Sequence, residues 1–293
     1  YTDTIQWALL LSGLIFIGLP LGYIEVGGYE RIKEVLPNEF LSLTNITWQD
    51  LVNWGVTIIP IWFVGMTLYQ RIYACKDKKE AQKAWYIAGL FEWPIMAFMG
   101  VMLGMFARVG AETGMFAYLG FESAAGMDAE TGLPMLLRTI LPAGLMGLMM
   151  ASYFSAVLST ADSCLMASSG NLVTDIIGYK NPDQKKFLRL SQILTFVIGA
   201  FALLLASMMQ SVLELMLYSY AFMVSGLFVP VLGGLFLKRP SPNAAFWSML
   251  LGGGTTITLI IWGAELPLGL DANIFGISAS LISFIVINQF NHK

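Results

Sequence analysis

Charge is scarce in this chain. Asp, Glu, Lys and Arg make up 12% of its 293 residues, against 57% hydrophobic residues, and the mean hydropathy is +0.70. A soluble domain carries about 25% charged residues, so a water-solvated globular fold is excluded and the chain belongs in a bilayer. Histidine is confined to His292 and cysteine to Cys75 and Cys164. Neither the number nor the spacing fits a disulfide framework or a zinc site, and histidine chemistry is left to a residue at the extreme C-terminus. There is no Gly/Ser-rich linker, no repeat of short period and no second soluble domain. The chain opens Tyr1-Thr2-Asp3 without a charged run before a short apolar stretch. A signal peptide is therefore not expected, and further residues are expected upstream.

What is present is apolar length. A spanning helix needs about 20 mostly apolar residues, and eight stretches qualify: Ile5 to Gly28, Val52 to Tyr73, Ala84 to Ala107, Leu141 to Thr174, Leu188 to Met208, Val212 to Leu237, Asn243 to Gly263 and Ala272 to Phe290. Charge placement supports the count. The loops Arg71 to Lys83, Lys180 to Arg189 and Lys238 to Arg239, with Lys293, hold twelve of the sixteen Lys and Arg residues. The alternate loops hold Arg31, Lys33, Arg108 and Arg138 among ten acids, including Glu112, Glu130, Asp50 and Asp271. The basic set faces the cytoplasm by the positive-inside rule, which puts the C-terminus there in a plasma or bacterial inner membrane. The net charge of −3 is then a sum over two surfaces and carries no argument for a nucleic-acid partner. The longer outer loops, Tyr29 to Leu51 and Arg108 to Ile140, have room for short surface helices.

Three acids, Asp3, Glu92 and Asp162, fall at membrane depth or just inside its edge. A charge there costs roughly 2.5–3.5 kcal/mol on insertion scales and calls for a partner, water or a bound cation. The fourth span places Ser152, Ala156, Ser159, Thr160, Ser163 and Ala167 at offsets of three, four and seven, which makes one narrow helical stripe. Asp162 lies beside it, next to Ser155 and Ser159. Hard cations want several oxygen ligands, and a stripe of hydroxyls with a small Ala156 supplies part of such a shell. Close helix packing, with each hydroxyl bonded to its own backbone, accounts equally well for the same spacing. The second span carries Pro60 and Gly65 around Trp62. They mark either a simple proline kink or an interrupted helix of the kind that exposes backbone groups to a solute.

These residues lie in stretches that resemble the sodium:solute symporter family, which includes the sodium/glucose and sodium/proline carriers. Tyr1-Thr2-Asp3-Thr4-Ile5-Gln6 is similar to the opening of the family's fifth core helix. Gln70-Arg71 with Ala74, Lys76 and Glu80-Ala81 resembles the end of its sixth, Ser155 to Ser163 with Asp175-Ile176 its eighth, and Phe236-Leu237-Lys238-Arg239 the end of its tenth. The resemblance implies an all-α membrane protein, a partial LeuT-like inverted-repeat transporter fold of about eight transmembrane helices. In that register residues 1–293 form a single transmembrane transporter domain, truncated at its N-terminus. It holds core helix five, the second repeat of helices six to ten and two further helices.

The resemblance also implies roles. The Ala156 carbonyl and the Ser159 and Thr160 hydroxyls correspond to the helix-eight half of a sodium site completed by the absent first helix. Asp3, with Ser159, Asp162 and Ser163, corresponds to a second cation site, although Asp162 stands where Ser or Thr is usual. Pro60, Trp62, Gly65, Trp93 and Tyr218 are the candidates for solute contact. Sugar-carrying members use a Lys and a Gln where this chain has Trp93 and Leu217, which argues against a glucose-like substrate. Glu92 is a candidate partner for a cationic group on the solute. The expected activity is sodium-coupled symport of a small solute by alternating access, with Na⁺ as coupling ion. The solute, the lipid bilayer and the missing N-terminal helices are its partners. An inactive fragment of such a carrier and a cation channel are the alternatives. An intramembrane serine protease, suggested by Ala167-Ser168-Ser169-Gly170, lacks a base within reach of its serine, so no enzyme activity is expected.

Overall fold

A computed structural model of the chain describes residues 2–178, 184–208, 211–263 and 265–290. Tyr1, Lys180, His292 and Lys293, used in the motif and charge readings above, lie outside the described residues. Every regular element among the described residues is helical. Seven helical stretches are long and apolar enough to cross a membrane, and the pair Trp48–Val64 and Met66–Tyr73, bent by 41°, makes an eighth candidate. The eight apolar stretches of the sequence are thus all helical, and the chain is an integral, multi-pass membrane protein. The two longer loops do carry short helices, Gly28–Val35 and Gly132–Ile140.

The helices divide into two compact units. Residues 1–42 and 71–202 form the first, and residues 43–70 and 203–293 the second. In chain order the helices of the first are α1 (Thr2–Gly13), α2 (Leu19–Glu25) and α3 (Gly28–Val35). The second takes α4 (Trp48–Val64) and most of α5 (Met66–Tyr73). The first then continues with α6 (Lys78–Phe91), α7 (Phe98–Glu112), α8 (Gly132–Ile140), α9 (Ala143–Asn171) and most of α10 (Gln184–Met208). The second ends with α11 (Val212–Phe236), α12 (Pro242–Trp262) and α13 (Ala272–Phe290).

The core of the first unit is built on α7. Met99, Leu103 and Phe106 recur at helical spacing and are buried with Val109, Phe116 and Leu136. Gly22 of α2 makes room for one of these rings, since a Cβ there would stand 2.9 Å from Phe106. Three wide π-helical turns lie in the spans of this unit, Leu14–Gly18, Glu92–Ala97 and Leu172–Ile176, the last continuing α9. The first two occur at prolines: Pro94 lies within the second, and Pro20 follows the first by two residues. A proline donates no backbone hydrogen bond, and the ladder is relieved by widening one turn.

In the second unit α4 begins with a reciprocal cap. Asp50 N donates to Thr47 Oγ1 and Thr47 N donates to Asp50 Oδ2, both at 3.2 Å. Pro60 stays inside the helix; the interruption falls five residues later, at Gly65, whose ψ of 106° is extended. Leu68 N restarts the ladder on Gly65 O at 3.1 Å. The N-terminal end of α4 is tied to the α12–α13 connection by one side chain, because Asn53 Nδ2 donates to Gly269 O and Asp271 N donates to Asn53 Oδ1, each at 3.0 Å. One turn on, Asn273 Nδ2 donates to Thr57 Oγ1 at 2.7 Å.

Helices α11, α12 and α13 touch through glycine and hydroxyl residues. Ser225, Ser248, Thr256, Asn273 and Ser280 are fully buried there. A Cβ on Gly276 would stand 2.7 Å from Gly252 O and 2.8 Å from Ser225 Cβ. Without a water-driven hydrophobic effect between them, spanning helices gain from this close backbone approach.

Two stability measurements follow. Gly276→Ala should destabilise the purified protein by about 1–3 kcal/mol, whereas Gly254→Ala, where a Cβ meets no atom within 4 Å, should cost nothing; equal effects would refute the packing account. Burial, and secondarily the Asp50 charge, raise the Asp271 carboxyl above its ordinary range. The ionised form is therefore disfavoured in the fold: stability is greatest below the unfolded pKa and falls as pH rises through the raised folded one. Asp271→Asn should raise the thermal midpoint at neutral pH, and the gain should vanish below about pH 4, where a free carboxyl is protonated. A pH-independent gain would contradict it.

A candidate cation site between α1 and α9

Helices α1 and α9 pack together in the first unit and leave a cavity of about 320 Å³ between them. The α1 wall is a helical face with Asp3, Gln6, Trp7 and Leu10 at offsets of three, four and seven, together with Leu11, and Leu14 of the following π turn extends it. Tyr153, Ala156, Ser159 and Thr160 of α9 form the opposite wall, and Met96 and Met99 close one side. Polar atoms therefore collect at the Asp3 end and apolar side chains towards Leu14. Trp7 is fixed edge-on against Phe91, ring centroids 5.3 Å apart.

The hydroxyls of α9 bond to the backbone of their own helix. Ser159 Oγ and Thr160 Oγ1 both donate to the Ala156 carbonyl, at 3.1 and 3.2 Å, and Ser163 Oγ donates to Ser159 O at 2.9 Å. Back-bonding uses the hydroxyl proton and leaves the oxygen lone pairs open. Packing and cation binding are thus compatible on this stripe: the proton satisfies a carbonyl while the oxygen remains a ligand. The Ala156 carbonyl is crowded by two hydroxyls, so its use as a ligand requires those rotors to turn.

Gln6 is the polar group the sequence reading did not single out. Its Oε1 is buried without a hydrogen-bond partner, and the residue lines the cavity together with Asp3, Ser159 and Thr160. Leaving such an acceptor unpaired costs about 1–3 kcal/mol, and a bound cation is a natural complement for it. The signal was in the sequence: Gln6 follows Asp3 by three residues, which shares a helical face. Tyr153 likewise precedes Ala156 by three.

The remaining candidates are placed differently. Asp162 is exposed and does not line the cavity; at 100° per residue it lies roughly 120° round the helix from Ala156. Ser163 is half-buried and also outside the lining. Glu92 lines an adjoining cleft of about 710 Å³ that shares Trp7 and Met96 with the cavity and includes Ala84, Ile87, Ala88 and Phe91, while Trp93 beside it is exposed. Pro60, Trp62, Gly65 and Tyr218 belong to the second unit. Pro60 and Gly65 are buried, whereas Trp62 and Tyr218 are at least partly open.

The profile of the sodium:solute symporter family matches residues 1–252. Among curated proteins the chain is 24% identical to solute carrier family 5 member 4B of Mus musculus, over 86% of this chain and 44% of that protein. It is 24% identical to the sodium/mannose cotransporter SLC5A10 of Bos taurus, over 88% and 50%. Against sodium/glucose cotransporter 1 of Sus scrofa it is again 24% identical, over 86% and 44%. The chain thus spans about half the length of the curated relatives it matches. With an all-helical fold of membrane-spanning segments and a family match over most of its length, the chain belongs to the sodium:solute symporter family.

Proposed function

We propose that this chain is the ion-binding part of a secondary carrier that couples the movement of Na⁺ to uptake of a small solute. One observation carries the reading: Asp3, Gln6, Ser159 and Thr160 line the same end of one cavity, and the Gln6 Oε1 is buried there without a hydrogen-bond partner. Oxygen ligands of this mixture suit a hard cation. The cavity is about ten times the ~30 Å³ share of one water; waters or a further helix complete the coordination shell.

Under this proposal Ala156, Ser159 and Thr160 hold one half of a sodium site, and the first helix of the LeuT-like fold, upstream of residue 1, supplies the other. Asp3 and Gln6 serve a neighbouring cation position. Asp162 and Ser163 join it only if α9 turns, because they flank the cavity rather than line it. Bound sodium favours the arrangement that accepts solute, and by linkage solute favours sodium to the same extent. Release then follows alternating access. The break at Gly65 in α4, with Trp62 before it, is the natural solute contact on the second unit, and Trp93 and Tyr218 are secondary candidates. Trp93 and Leu217 where sugar carriers have Lys and Gln point to a solute other than glucose. No covalent chemistry is required. The basic loops face the cytoplasm, as does the C-terminus, in a plasma or bacterial inner membrane.

The test is radiolabelled uptake of a solute panel by the full-length carrier with sodium replaced by choline or lithium. Saturable uptake that needs sodium supports symport, and ion flux without solute would point to a channel. Ser159→Ala and Thr160→Ala should each raise the sodium concentration for half-maximal uptake about tenfold, from loss of one charge-bound oxygen. Unchanged sodium dependence would remove them from the site. Gln6→Leu should weaken sodium dependence similarly while preserving folding, since it removes an unpaired buried acceptor; a folded variant with unaltered sodium affinity would exclude Gln6.

A further inference from the structure

Helix α4 is held along its length, whereas α5 is not. Near its start Asn53 and Thr57 bond to the α12–α13 connection and to Asn273 of α13. Near its end Ile61 and Val64 are buried in one apolar cluster with Val224 of α11, and the Phe63 ring meets Phe228 edge-on, centroids 6.1 Å apart. By contrast α5 contains no buried residue, and Met66 and Tyr73 at its two ends are exposed. Packing thus fixes the axis of α4 and leaves open the angle at which α5 departs from it.

What sets that angle is hydrogen bonding at the joint. A helix leaves its last four carbonyls without a donor from its own ladder, and in hydrocarbon an unpaired carbonyl is costly. Two of those in α4 are met from the joint: Ile61 O accepts from Gly65 N at 2.8 Å, and Phe63 O accepts from the Tyr69 hydroxyl at 2.7 Å. In a continuous helix the donor to Phe63 O would be Thr67 N. The extended Gly65 takes that amide out of line, and the hydroxyl stands in for it. Tyr69 N also donates to Gly65 O, at 3.4 Å. One residue of α5 therefore grips the carbonyl before the break and the carbonyl at it. The backbone bond is open to any residue but proline. The other needs a donor at the tip of a long, stiff side chain, and a phenylalanine in its place would keep the ring and lose the bond.

We propose that Tyr69 is a positioning residue, whose hydroxyl latches the Phe63 carbonyl and so holds α5 at 41° to α4. The inference rests on the reading of the Gly65 break as the solute contact. A latched joint presents that contact in one arrangement. An unlatched joint divides it among several, and solute affinity falls with the fraction that is competent. Sodium binding in the first unit does not pass through this bond, so the sodium requirement at saturating solute is left unchanged.

The test compares the full-length carrier with its Tyr69→Phe variant. Backbone hydrogen exchange, read by mass spectrometry, reports on the joint without any solute, and the thermal midpoint reports on the fold. Exchange over residues 65–69 should be about three- to tenfold faster in the variant, the worth of one neutral hydrogen bond, with the midpoint and the other helices as in the parent. Uptake of radiolabelled proline, mannose or lactate, whichever the parent carries, should show KM raised by the same factor and the maximal rate unchanged. Parent exchange rates across the joint would overturn the latch. Faster exchange with an unaltered KM would overturn its role in positioning, as would a higher KM with equal losses of maximal rate and midpoint, which mark a general stabilising contact. A parent whose uptake of all three probes ignores sodium refutes the symport reading and not the latch, which the exchange measurement decides.

Discussion

Oxygen atoms placed where no bulk water reaches must find a partner inside the protein, and α9 is organised around that constraint. Ser159, Thr160 and Ser163 are tolerated in a spanning helix because their protons return to carbonyls three or four residues back. The same bonding leaves their oxygens electron-rich and directed off the helix. Facing α1, which brings Asp3 and an acceptor on Gln6 with no protein donor, the surface becomes suited to a cation. Satisfying the backbone and preparing a ligand are one geometry here. The cost of the orphaned amide oxygen is comparable to that of a lost hydrogen bond, a size that an ion can offset.

The second unit leaves that constraint unmet for three oxygens, since Thr256 Oγ1, Asn273 Oδ1 and Ser280 Oγ are buried without a hydrogen-bond partner. Thr256, Ser280 and Asn273 are buried among glycines so closely packed that no added methyl fits at Gly276 or Gly252. Space is absent, so these polar groups serve helix contact rather than a ligand. Against this tight three-helix block α4 is held by Asn53 and Thr57, and it ends at Gly65 with an extended backbone. The helix is thus fixed at one end and broken at the other, where the buried Gly65 still accepts from Leu68 N and so starts the next helix.

The spans were legible in the sequence because a bilayer demands apolar length, and that demand leaves a signal in every helix. The register of the α9 stripe was legible for a related reason, since small and hydroxyl side chains repeat with the helical period. Other features were not. The interruption fell at Gly65 rather than Pro60 because a proline inside a spanning helix loses one hydrogen bond and continues, whereas the glycine adopts a backbone angle that ends the ladder. The π turns at Leu14–Gly18 and Glu92–Ala97 depend on the hydrogen-bond ladder around Pro20 and Pro94, which composition does not reveal. Asp162 drew notice as an acid beside the stripe, yet a third of a turn separates it from the cavity-facing side. Gln6, an uncharged residue, drew less notice although its spacing from Asp3 places it on the cavity.

The central claim is that the polar end of the α1–α9 cavity binds an alkali cation, and locating thallium, a sodium or potassium surrogate, in crystals of the full-length carrier by anomalous scattering tests it most directly. The account predicts an anomalous peak among Asp3, Gln6, Ser159 and Thr160, displaced by excess sodium. Well-ordered crystals at saturating thallium with no peak in that cavity, or with the ion bound elsewhere and these oxygens packed against one another, would contradict it.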